Sequence, residues 1–331
     1  MLHLLGNRSE AEPLLREALA ISRNERGDEH PKTLECINNL GALLHSQGKL
    51  SEAEIHFREA MQTGRRMLGD EHPVTLSYIN NVAAALRSQG KHPEAVPLLR
   101  ESLAASRRVL GDEHPGTLAA IDTLALSLQA LGKPTEAEPL YREGWETSRR
   151  MLGEEHPTTM TSMGNLGSFL LSQDNLAEAE PLFRKTLEIS RRTVGDDHPN
   201  TLVYINNLAA LLKNQGKLAK AEPLYREALE SNRRTLGDEH PNTLVYINNL
   251  AKLLKKLDNF PEAEQLYREA METGRRVLGD DHPNTLVFIK NLASLAEDQG
   301  KLTEAESLFR EVVDTARRVL GSENTVLHPK A

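Results

Sequence analysis

The sequence predicts an all-α fold, a solenoid of antiparallel helix pairs, on three observations. A histidine-proline pair keeps a strict register over seven copies, His30-Pro31, His72-Pro73, His114-Pro115, His156-Pro157, His198-Pro199, His240-Pro241 and His282-Pro283, each 42 residues after the last (72 minus 30). A fixed period of this size marks a stacked array, in which each repeat buries its apolar face against its neighbours. Apolar residues inside each repeat recur at spacings of three and four, as on one face of a helix, and no stretch alternates with period two, so no strands are expected.

The elements follow in order. Residues 1–30 form a truncated first repeat, the tail of one helix and then a complete second helix from about Ser9. Full repeats occupy 31–72, 73–114, 115–156, 157–198, 199–240, 241–282 and 283–321, before a tail at 322–331, all in one continuous solenoid domain. In the repeat that starts at Pro199, Leu202, Ile205, Leu208, Ala209 and Leu212 give helix A its apolar stripe. Proline suits a first helical turn, where its missing N–H is no loss, and Gly216 ends the segment. Helix B is expected from about Ala219 to Leu236, with Ala221, Leu224, Tyr225, Ala228 and Leu229 inward and Gly237 as its stop. Capping-box spacing starts helix B in some repeats, Ser51 with Glu54, Thr135 with Glu138 and Thr303 with Glu306. Pro13, Pro97, Pro139, Pro181 and Pro223 fall early in helix B, where a small bend and no break is expected. At the far end Gly321-Ser322-Glu323-Asn324 reads as a further connector that no helix A follows, so the chain reads as a piece of a longer polypeptide.

Composition excludes several function classes. The 331 residues include one cysteine, Cys36, so no internal disulfide forms and a reducing, cytoplasmic compartment is expected. No apolar run approaches the roughly 20 residues of a membrane span, so no membrane partner is expected. A net charge of −8 argues against a general nucleic-acid binder.

The run Asn207-Leu208-Ala209-Ala210-Leu211-Leu212, then Gly216-Lys217-Leu218, Ala221, Tyr225 and Ala228, resembles the tetratricopeptide repeat (TPR) signature. Ala209, Ala221 and Ala228 match the places where that family's helices touch closely, and Leu208, Leu212 and Tyr225 its large packing residues. With eight residues more than the ordinary 34, the repeat is similar to the kinesin light chain type, found also in nephrocystin-type proteins and in sensor arrays of signalling NTPases. The resemblance implies a right-handed superhelix whose helices A line a concave surface, and a scaffold that binds extended peptides. It also implies membership of a motor or signalling complex, although the heavy-chain-binding coiled coil that kinesin light chains place before their repeats is not among these residues.

The candidate chemistry is that of binding. Equivalent histidines lie at least a helix diameter apart and cannot share an ion, so they read as turn and capping groups, and no metal is expected. Arginine pairs such as Arg233-Arg234 close helix B and are followed by acids, which reads as neutralising pairing. Cys36 stands where other repeats have Tyr78, Tyr204, Tyr246 or Phe288, and Trp145 lies inside helix B, so both read as packing residues. No Walker loop, Gly-x-Gly-x-x-Gly or His-Glu-x-x-His occurs, so no catalysis and no cofactor are expected.

Asparagine is a mediocre helix-interior residue, yet it recurs at Asn38, Asn39, Asn80, Asn81, Asn165, Asn206, Asn207, Asn248, Asn249 and Asn291. A side-chain amide donates and accepts at once, which suits it either to clamp a peptide backbone or to hydrogen-bond between repeats. The resemblance implies the clamp, since the matching asparagines of kinesin light chains hold peptides, and both uses stay open for different copies. Arg87, Lys213, Lys252, Lys255, Lys256 and Lys290 add positive charge to the same surface, while Asp122, Thr123 and Gly164 interrupt it. The expected ligand is therefore an acidic peptide, held between residues 199 and 300. The alternative is a sensor or self-association array of a larger signalling NTPase.

Overall fold

The computed structural model describes residues 8–326 and contains, among them, 15 helices and no strand. In chain order these are α1 (Arg8–Arg26), α2 (Pro31–Ser46), α3 (Leu50–Leu68), α4 (Pro73–Ser88), α5 (His92–Leu110), α6 (Pro115–Ala130), α7 (Pro134–Leu152) and α8 (Pro157–Ser172). They continue as α9 (Leu176–Val194), α10 (Pro199–Asn214), α11 (Leu218–Leu236), α12 (Pro241–Lys256), α13 (Phe260–Val277), α14 (Pro283–Asp298) and α15 (Leu302–Val326). Even-numbered helices are helices A and odd-numbered ones helices B. Contacts divide the chain into two compact bodies, Met1–Phe169 and Leu170–Ala331, and in each body consecutive helices pack on one another.

Each helix A starts at the proline of its His-Pro pair because the histidine caps it. His240 keeps an extended backbone (φ −69°, ψ 135°) and its Nδ1 accepts from the Asn242 backbone N–H at 3.2 Å. His30, His72, His114, His156, His198 and His282 do the same for residues 32, 74, 116, 158, 200 and 284. The capping role expected of these histidines is what the geometry displays. Helix B starts differently. Leu50 and Pro134 are the first residues of α3 and α7, so Ser51 and Thr135 are already helical, and the preceding Lys49 and Lys133 make no side-chain cap bond. The capping boxes expected there are not formed.

Helix B ends where Gly237 takes φ +88° and its N–H reaches the Arg233 carbonyl at 3.0 Å, while the Thr243 hydroxyl ties the Gly237 carbonyl at 2.8 Å. This tight exit requires a residue without a Cβ. Gly321 has no such role. α15 runs through it to Val326, because Ser-Glu-Asn follows where other repeats place Asp and His-Pro to turn the chain. The connector expected there is helical instead.

Packing uses the small and large residues that the repeat pattern separates. Ala209, Ala221 and Ala228 are fully buried, as are Ile37, Ile79, Ile121, Ile205, Ile247 and Ile289 along helices A. Tyr225 and Leu212 fill the space between at 1% and 3% exposure. Truncating one of these isoleucines to Ala would remove about 2–5 kcal/mol.

Candidate binding face

The repeat leaves one stripe of each helix A uncovered. In α10 the residues at 201, 202, 204, 205, 208, 209, 211 and 212 are buried, whereas Val203, Asn206, Asn207, Ala210, Lys213 and Asn214 remain partly or fully open. The candidate asparagines and cations therefore share one face within each body.

The asparagines first join repeat to repeat. Asn81 Nδ2 donates to Asn38 Oδ1 at 2.7 Å, Asn249 to Asn206 at 2.9 Å and Asn291 to Asn248 at 2.7 Å. Asn80 instead accepts from the Ser102 hydroxyl at 2.8 Å. Asn248 is buried, Asn39 is exposed, and Asn165 and Asn207 are half-buried. Each bonded amide keeps donor or acceptor capacity beyond its ladder partner, so the face retains polar valences at its half-buried members.

The cations separate into paired and unpaired groups. Lys255 Nζ lies 2.8 Å from Asp298 Oδ2 and donates to Ser294 Oγ at 2.8 Å and to its carbonyl at 3.0 Å, so its charge is already met. Lys213, Lys252, Lys256 and Lys290 pair with no carboxylate among the described residues. Burial, and then repulsion from Lys252 and Lys256, lowers the Lys213 ammonium below the usual lysine range. Burial and Lys290 do the same to Lys252. Four like charges held together without a counter-charge form a site of positive potential in the C-terminal body.

The N-terminal body is different. At the ladder position α6 has Asp122, which accepts from Ser162 Oγ at 3.0 Å, and burial pushes its carboxyl up to about 6 against the pull of Ser162 and Asn165. Arg87 is half-buried, and burial lowers its guanidinium pKa while the nearby Tyr141 acts the other way. Tyr141 donates to Gln129 Oε1 at 2.7 Å. Arg87 is the one candidate cation in this body.

The remaining charged motifs hold the array together. Arg233 Nε meets Asp238 at 3.1 Å and its Nη2 meets Glu269 at 2.5 Å, and Arg275 pairs likewise with Asp280 and Glu311. The second arginine of several pairs reaches back, Arg276 to Glu239 at 2.9 Å and Arg108 to Glu71 at 2.7 Å. Arg149 lies over Trp145, 5.0 Å from the ring centre. Sequence reasoning missed a further cluster, in which Gln215 and Arg184 draw Glu180 down to about 2 and Lys217 adds to the effect. Its signal was the 35-residue offset between Glu180 and Gln215, repeated at Glu54 and Gln89.

Hollows of about 690 and 340 Å³ lie over α10 and α6, lined at equivalent places by Leu187, Leu208 and Pro223 and by Leu103, Leu124 and Pro139. Their recurrence makes them a property of helix spacing. Among the described residues no group of three or more His, Cys, Asp or Glu could hold a metal ion, and no helix is long and apolar enough to cross a membrane.

Helix pairs of fixed period, each exposing one polar stripe, define a repeat protein of the interaction-scaffold class. The chain belongs to the tetratricopeptide repeat family, whose sequence profile matches residues 1–66, 73–150, 158–230, 203–273 and 247–318. No curated protein matches it. Among solved structures, the nearly identical TPR-like repeats of a putative kinesin light chain from Podosopora anserina are 27% identical, with TM-score 0.54, 62% of this chain and 98% of that one covered. BtubC (BKLC) from P. vanneervenii is 22% identical with TM-score 0.57 over 70% and 91% of the two chains. The apo form of the quorum sensor NprR from B. thuringiensis is 14% identical with TM-score 0.71 over 95% and 84%, a likeness of fold alone.

Proposed function

We propose that the chain is a non-catalytic, cytoplasmic protein-binding scaffold whose C-terminal body holds acidic peptide segments on the open face of α10, α12 and α14. The observation that carries this reading is the unpaired cluster of Lys213, Lys252, Lys256 and Lys290. An approaching carboxylate restores to Lys213 and Lys252 the favourable field that burial and neighbouring lysines remove. The half-buried asparagines beside them supply amides for the backbone of the bound segment. Similarity to the repeats of a putative kinesin light chain supports an adaptor of that type.

The reading is tested by changing Lys213, Lys252 and Lys256 together to Glu and measuring binding of a fluorescent Glu-rich peptide by anisotropy. At low salt the affinity should fall at least about tenfold, and the parent's binding should weaken steadily as salt rises. Unchanged affinity in the triple variant would overturn it.

A further inference from the structure

We infer that the C-terminal body takes its acidic partner as an α-helix laid across α10, α12 and α14, with an apolar stripe on a row of valines and an acidic flank on the lysines. The inference rests on the acidic-peptide reading and adds the conformation of the ligand, in place of the extended segment that the sequence suggested.

The valines are Val203, Val245 and Val287, at the same position of three successive helices A and 46%, 38% and 41% exposed. More than a third of each stays open, while their chain neighbours Leu202, Tyr204, Leu244, Tyr246 and Phe288 fill the interior. The corresponding residues of the N-terminal body are Glu35, Ser77, Ala119 and Thr161, which form no apolar row. The apolar row and the unpaired lysines thus coincide in one body.

Their spacing selects the ligand. On α12, Val245, Lys252 and Lys256 stand seven and eleven residues apart, on one stripe of a helix. At 1.5 Å per residue the valine lies about 10 and 16 Å from the two lysines, which accommodates a helix about 10–12 Å across. Successive rows are joined by the Asn249 to Asn206 and Asn291 to Asn248 bonds, so they lie roughly one helix spacing, about 10 Å, apart. Two turns of α-helix, seven residues, rise about 10.5 Å, so apolar residues of the partner at every seventh position would meet all three valines. An extended strand shows the same face every ~6.7 Å and falls out of register at the middle valine.

Three labelled peptides of about 21 residues, or three heptads, test this on the full chain at about 50 mM salt. One is helix-forming, with leucine every seventh residue and glutamate along one flank. A second has two central prolines, and a third has the leucines moved off the common face. The first should bind about tenfold more tightly than either other, and Val245→Ser should weaken the first about fivefold and leave the second unchanged. Circular dichroism would verify that the exposed-site variant stays folded. Equal binding of the three peptides, or indifference of the first to Val245→Ser, would overturn the helical ligand while leaving the acidic-peptide reading in place. Binding of none would overturn both.

Discussion

Asp122 occupies a place that Asn38, Asn80, Asn206 and Asn248 hold in other repeats, and the difference is one of charge at nearly constant shape. Its carboxyl titrates at about 6 when folded, above its ordinary value of 3.8. A raised value means that the folded protein binds the proton more tightly than the unfolded chain. This group's contribution is therefore most favourable below about pH 4, is lost as pH rises toward 6, and stays absent above that. Asp122→Asn should raise stability at pH 7.5 by about 1–3 kcal/mol and leave it unchanged at pH 4, read as thermal midpoints at both. A histidine cap is testable at the same scale. His240→Ala should cost about 1 kcal/mol and His240→Asn much less, since Asn also accepts the N2 bond, as measured by chemical denaturation.

At the scale of the helix, the sequence announced some boundaries and hid others. Helices A were legible because proline and the capping histidine act locally. Helices B were placed less well: the Ser and Thr that look like caps lie one residue inside, and only the turn geometry before Leu50 or Pro134 reveals it. The open face was half legible. Asparagines in poor helical positions implied a use, but which use depended on an offset between repeats. His45 to Ser88, Asn38 to Asn81, Asn206 to Asn249 and Lys255 to Asp298 are all bonded at 43 residues. That offset removes Lys255 from the free cations, which no inspection of α12 alone would show. The valine row escaped notice because a search for the buried stripe passes over apolar residues lying off it.

At the scale of the molecule, equal offsets make whole repeats exchangeable. Removing residues 241–282 in register would bring Asn206 opposite Asn291, Arg233 opposite Glu311 and Arg226 opposite Glu304, the relations that now join each repeat to the next. The shortened chain should keep its mean residue ellipticity and lose only a few degrees of thermal midpoint, as expected when stability is a sum of repeat and interface contributions. It should bind acidic peptides more weakly, because Lys252, Lys256 and Val245 leave with the deleted repeat.

The short reach of these bonds bears on how the chain is made. None of the side-chain bonds named above spans more than 43 residues, so a repeat emerging from the ribosome can close its ladder as soon as the next one follows. Among the described residues these bonds wait on nothing beyond the next repeat, so their loop closure stays inexpensive. Folding can thus keep pace with synthesis, one repeat behind the growing end.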